Sequence, residues 1–176
     1  MLDTLITSKT RIKLLLKFFL NGNTSSYLRN LESEFGESSN AIRLELNKFE
    51  EAGLLKSTLQ GNKKLFKANT FHPLFRDIHN ILLKYIGLDQ IIENVLNELG
   101  DINSVYLTGD LSKGIDSPVV DLLIIGDVNK DYLLKLIDRA EQLIHKKIRY
   151  ITYSEHELQS FNGELLKSHY LLIYTR

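Results

Sequence analysis

The chain contains no cysteine. That excludes disulfide staples, thiolate metal ligands and cysteine nucleophiles, and it makes a reducing, cytoplasmic compartment the expected one. Tryptophan is absent as well, and long apolar runs are missing. The best run, Leu14 to Leu20, is interrupted by Lys17. It falls far short of the roughly 20 apolar residues a membrane helix needs, so neither a signal segment nor a membrane partner is expected. Net charge is also lacking, but the zero conceals a split. Residues 1–69 hold eleven Lys and Arg against seven Asp and Glu, and the remaining residues hold eleven against fifteen. A basic first half and an acidic second half imply that only the first faces a polyanion. What is present is enough to fold: 176 residues with 43% hydrophobic content can bury one core or two small ones.

The first half reads as three helices and a hairpin. Ile12, Leu15, Leu16, Phe19 and Leu20 recur at helical spacing behind a capping Ser8, and Asn21-Gly22-Asn23 ends the run. Thr24 or Ser25 is placed to cap a second helix, which carries Leu28, Leu31 and Phe35 on one face and stops at Gly36. Ser38 or Ser39 caps a third, with Ile42, Leu46 and Phe49 inward and Asn40, Arg43, Asn47 and Lys48 turned elsewhere. Two strand-like runs then flank Gly61-Asn62, where glycine in first place suits a type II′ turn. Together these elements predict a winged helix-turn-helix over residues 1–70, its third helix entering a DNA major groove.

The residue types fit that placement. Hydroxyls of Ser38 and Ser39, the Asn40 and Asn47 amides, the Arg43 guanidinium and the Lys63 and Lys64 ammonium groups are donors suited to phosphates and base edges. The competing reading makes the serines mere caps and the module a protein-binding one. Residues 71–87 form a connecting segment. Pro73 fits a first helical turn, and Phe75, Ile78, Leu82, Leu83 and Ile86 form a stripe that either builds a homodimer or packs within its own chain.

The stretch SSNAIRLELNKFEEAGLLKSTLQGNKKLFKAN, followed by FHPLFRDIHNILLKYIGL, resembles the winged-helix domain of arsenic-repressor-type bacterial transcriptional regulators, especially those with a nucleotidyltransferase-like domain behind it. The resemblance implies a dimer on double-stranded DNA. Metal-sensing members use cysteines, so metal-responsive repression is not expected here.

Residues 88–176 alternate helices and strands, which predicts an α/β sandwich on a small mixed sheet. A helix begins after Gly87 and stops at Gly100. The strand NSVYLTG, the turn through Gly114 and the strand VVDLLIIG follow, then a helix from about Asn129 to His145, the strand IRYITY, a short helix near SEHELQSF and the strand HYLLIYT. This half resembles the minimal nucleotidyltransferase fold of the DNA polymerase beta superfamily. That family carries Gly-Ser at the end of its first strand, then Arg-Gly, then two aspartates one residue apart, and a third acid on a later strand. Here Gly109 and Gly114 match, Asp110 stands for the serine, Lys113 for the arginine, Val119 for the first aspartate and Asp121 for the second. The strand IRYITY offers no acid.

Two carboxylates two residues apart on a strand aim at one point, where they hold divalent ions against a triphosphate. Valine cannot coordinate. Asp116, Asp127 and Glu155 are the remaining acids nearby, Asp127 better placed to cap the following helix. His72, His79, His145, His156 and His169 show no ligand spacing. The expectation is an α+β chain without catalytic residues, metal or cofactor: a regulator whose degenerate transferase-like domain serves assembly or senses an unknown effector. The alternative is an active or antitoxin-type nucleotidyltransferase with an attached binding module.

Overall fold

The structure, a computed structural model, describes residues 2–96, 99, 102–160 and 170–175. It is a mixed α+β chain of two compact units, Met1–Tyr85 with Gly114–Asp116, and Ile86–Lys113 with Ser117–Arg176. Among the described residues, no helix is long and apolar enough to cross a membrane.

In the first unit, a short helix α1 (Leu2–Leu5) leads into α2 (Lys9–Leu15), whose cap is Ser8, its Oγ accepting from the Arg11 backbone N–H. The helix then widens into a π-helical turn over Leu16–Leu20. Lys17, which seemed to interrupt the apolar run, lies buried in that turn, and its ammonium meets Glu34 at 2.7 Å. A buried amine is tolerable because the carboxylate replaces its water.

Ser25–Tyr27 corrects one expectation. Instead of opening a helix, these residues form a short strand β1, and α3 (Leu28–Phe35) starts after Tyr27 and ends at Gly36, φ +62°. α4 (Ser39–Glu51) is capped by Ser38, which accepts from the Ala41 N–H, and it buries Ile42, Leu46 and Phe49. The hairpin β2 (Leu55–Gln60) and β3 (Lys63–Ala68) turns at Gly61, φ +60°, and β1 joins it in the order β1-β3-β2, all antiparallel. Pro73 precedes α5 (Phe75–Ile86) instead of entering it. Leu82 and Ile86 of the expected stripe are buried, while Leu74 and Ile81, outside it, are 53% and 47% exposed.

The core of this unit centres on Phe19. Its ring meets Phe49 edge-on at 6.3 Å and Phe75 at 5.7 Å, and its carbonyl lies 2.9 Å from His79 Nδ1. Around that core, carboxylates tie helix to helix. Glu37 accepts from Lys13 and Thr10, and Glu45 from Arg11.

The second unit begins with α6 (Leu88–Ile91) and a π-helical turn over Ile92–Leu96. The expected helix stop at Gly100 lies outside the described residues, as does His169. A four-stranded sheet follows, in the order β6-β5-β4-β7, built from β4 (Ile102–Thr108), β5 (Val119–Gly126), β6 (Lys147–Tyr153) and β7 (Leu171–Thr175). It is mixed: β5 runs parallel to β6 and antiparallel to β4. The turn after β4 contains a one-turn helix α7 (Gly109–Ser112). α8 (Lys130–Ile144) buries Leu133, Leu136, Ile137 and Ala140, while Tyr132 is exposed. α8 is capped by Asn129, accepting from the Tyr132 N–H, and not by Asp127. α9 (Glu155–Ser160) precedes β7.

Candidate functional site

Each unit carries one candidate site. In the first, the exposed stripe of α4 and the hairpin tip are brought together by the burial of Ile42, Leu46 and Phe49 beneath them. A cleft of about 510 Å³ lies between α3, α4 and the hairpin. Arg43, Asn47, Lys63 and Lys64 line it, together with Arg29 and Asn62. Ser38, Ser39 and Asn40 sit at the N-terminal end of α4, outside that lining, where Ser38 is occupied as the helix cap. Arg29 escaped the sequence reading because it lies off the Leu28, Leu31 and Phe35 face by which the helix was recognised.

Ion pairing sorts these cations. Lys64 donates to Glu50 at 2.6 Å, and Lys48 approaches Glu45 at 3.6 Å. Arg29, Arg43 and Lys63 make no ion pair with a described residue, although the Lys63 ammonium lies over the Tyr27 ring. Three cations without an ion pair outnumber Glu32, the acid of the same lining, and make the concave face anion-receptive. The Lys64 charge is already half spent on Glu50.

The same carboxylates set a pH dependence. At Glu37, hydrogen bonds from Lys13 and Thr10 hold the carboxyl below its ordinary value, 4.5. Lys64 and Ser57 do the same at Glu50. At Glu45, burial pushes upward, but Arg11, Lys48 and Ser8 together outweigh it and the net shift is downward. A depressed folded-state value contributes stability that is complete above the unfolded value and disappears as pH falls through the folded one. The first unit is therefore expected to lose stability below about pH 4.5, with no matching loss between pH 5 and 8. Thermal melts across that range check it, and a flat midpoint from pH 7 to pH 3 contradicts it.

The second site lies where β4 ends. Gly109 takes φ +66°, and a Cβ added there would come within 2.2 Å of the Asp121 carboxylate, so only glycine admits this turn. Asp121 pairs laterally with Thr108 on β4 and with Arg149 on β6, which sets the three in one row across the sheet. The row is closed by an ion pair: Arg149 Nε donates to Asp121 Oδ1 at 2.7 Å. Hydrogen bonding to Asp121, its charge and that of Asp110 all push the guanidinium further toward its protonated form. One step along the same face, Val119 pairs with Lys147, which is itself held by Glu141 at 2.6 Å.

These residues do not fit magnesium. A two-metal site needs carboxylates converging on one point, and here the one aspartate of the row is bonded to a guanidinium, while cations stand beside both aspartate positions. Of the other acids, Glu155 accepts from Asn103, and Asp116 belongs to the stretch Gly114–Asp116 counted with the first unit. Gly114 goes with it, while Lys113 caps α7 with an exposed side chain. No group of three or more His, Cys, Asp or Glu residues converges to hold a metal among the described residues. An open hollow of about 520 Å³, lined by Thr108, Asp121, Arg149 and Tyr150 among others, fronts the row.

No protein-family model matches the chain, and no curated protein does. Among solved structures, AF1382 from Archaeoglobus fulgidus is similar at 19% identity, over 47% of this chain and 93% of that one, with a TM-score of 0.38. A proposed nucleotidyltransferase from Sulfolobus solfataricus is similar at 19% identity, over 55% of this chain and 83% of that one, with a TM-score of 0.36. At these scores neither likeness decides what this chain does.

Proposed function

We propose that the chain is a DNA-binding transcriptional regulator. In this reading residues 1–70 act as a winged helix, 71–87 connect and pair two copies, and 88–176 keep a nucleotidyltransferase-like form without its reaction. The observation that carries it is the cleft shared by α3, α4 and the hairpin, with Arg29, Arg43 and Lys63 uncompensated on its wall. α4 lies in the major groove, where Arg43 and Asn47 share a face and reach base edges, while Lys63 at the hairpin tip meets a flanking phosphate. Ser39 and Asn40 at the start of α4 meet the backbone. Two copies pair through α5 and the residue before it, on the exposed Ile81 and Leu74, and so match a palindromic operator.

Retardation of genomic duplex fragments at low salt tests the reading. Binding that Arg43→Ala weakens supports it, and no retarded fragment sinks it.

A second reading, nucleotidyl transfer, is favoured by the closure of Asp121 on Gly109 at the end of β4. It is also the activity in the name of the Sulfolobus solfataricus protein. Against it stands Arg149, which holds in advance the carboxylate that a metal would need. Purified chain incubated with magnesium and radiolabelled ATP or UTP is expected to acquire and transfer no label. Transfer that disappears in Asp121→Asn would establish the second reading in place of the first.

A further inference from the structure

A second basic surface lies on the other side of the three-stranded sheet. Side chains alternate along strands, so the register sorts them cleanly. Ser26, Leu55, Phe66 and Ala68 point inward and are buried. The outer face is then a grid: Ser25, Lys67 and Lys56 in one row, Tyr27, Leu65 and Thr58 in the next, and Lys63 beside Gln60 in the last. None of these eight is an acid.

Two features of the grid are unfavourable unless something covers them. Lys56 and Lys67 are direct cross-strand partners, exposed, and without an ion pair to a described residue. Like charges placed opposite one another destabilise a sheet. Beside them Phe71 is 90% exposed, with the Lys56 ammonium 5.9 Å from its ring centre. At the far end the Lys63 ammonium lies 6.0 Å from the Tyr27 ring, whose hydroxyl is fixed by Gln60. Lysine thus alternates with aromatic rings along one open face.

We propose that this face binds single-stranded nucleic acid, independently of the α4 cleft. Lys56 and Lys67 track the phosphodiester backbone and a base stacks on the open Phe71 ring, whereas Lys63 and Tyr27, which also line the α4 cleft, mark where the two surfaces meet. Backbone charge with stacked bases is the arrangement by which strands are held without sequence readout. A folded protein partner would use the exposed ring but leave the facing lysines uncompensated, unless it were itself acidic. A duplex would offer phosphates and no accessible base face.

The test is fluorescence anisotropy of a labelled oligothymidine of about twelve nucleotides against the full chain at low salt. Phe71→Ala is expected to weaken binding about tenfold, the scale of one lost base stack. The Lys56→Ala, Lys67→Ala double variant is expected to flatten the log-log salt slope by about 1.4, the single-strand increment for two phosphates. Arg43→Ala should leave oligothymidine binding unchanged while weakening duplex binding, which separates this face from the cleft. All four positions are exposed, so melting curves of the variants should match the parent. No binding of the oligonucleotide, or binding lost with Arg43→Ala but kept in Phe71→Ala, overturns the proposal.

Discussion

Raising the salt from about 50 to about 200 mM is expected to weaken the proposed hold of this chain on duplex DNA by about 12-fold. The figure follows from two phosphate contacts, by Arg29 and Lys63, each releasing about 0.9 of a counterion and giving a log-log slope near −1.8. The slope also ranks the lysines at the hairpin tip. Lys63→Ala removes a cation with no competing carboxylate, so the slope falls to about −0.9. Lys64→Ala removes one that Glu50 already holds at 2.6 Å, so the slope changes little. The sequence treats these neighbours as equals. Equal flattening by the two substitutions would mean that Glu50 releases Lys64 on binding, and a slope near zero would remove the duplex from the account.

The second large effect is on stability. Phe19→Ala is expected to cost about 3–5 kcal/mol, the range for deleting a fully buried aromatic ring. Phe19 is wholly buried and touches the rings of Phe49 on α4 and Phe75 on α5, so its loss leaves a cavity where three helices meet. The cost is a large share of the stability of any domain this size. The melting midpoint of the first unit should fall by more than about 10 °C. Duplex affinity should decline with it, because Phe49 positions the helix that bears Arg43 and Asn47. Phe71→Ala, at an exposed ring of the same unit, is the control and should leave the midpoint in place. Calorimetry of both variants checks the pair. A Phe19→Ala midpoint within a degree or two of the parent would show that the cavity refills.

How much of this was legible in the chain differs by the range of the interaction. Ser8 was readable as a cap, and the third helix's cap was narrowed to Ser38 or Ser39, because a cap needs only an oxygen and the three residues that follow it. Gly61 was readable because a two-residue turn demands a positive φ that few other residues accept. The π-helical turn at Leu16–Leu20 was not readable, since apolar spacing alone does not distinguish it from the helix it continues. Nor was β1, three residues long, which takes strand form through pairing with Leu65 to Lys67 of β3.

The amino-acid order alone determined the absences and the local geometry. No cysteine chemistry is available, no acid stands at position 119, and turns fall at Gly36, Gly61 and Gly109 because backbone conformation there excludes a side chain or strains it. Tertiary structure alone decided which charges remain available. Asp121 and Arg149 are 28 residues apart and meet only because two parallel strands set them in register, and Lys64 of β3 finds Glu50 of α4 across 14 residues because the hairpin folds back beside that helix. Coulomb interaction depends on distance in space, so a charged residue's role is legible only after folding has chosen its neighbour.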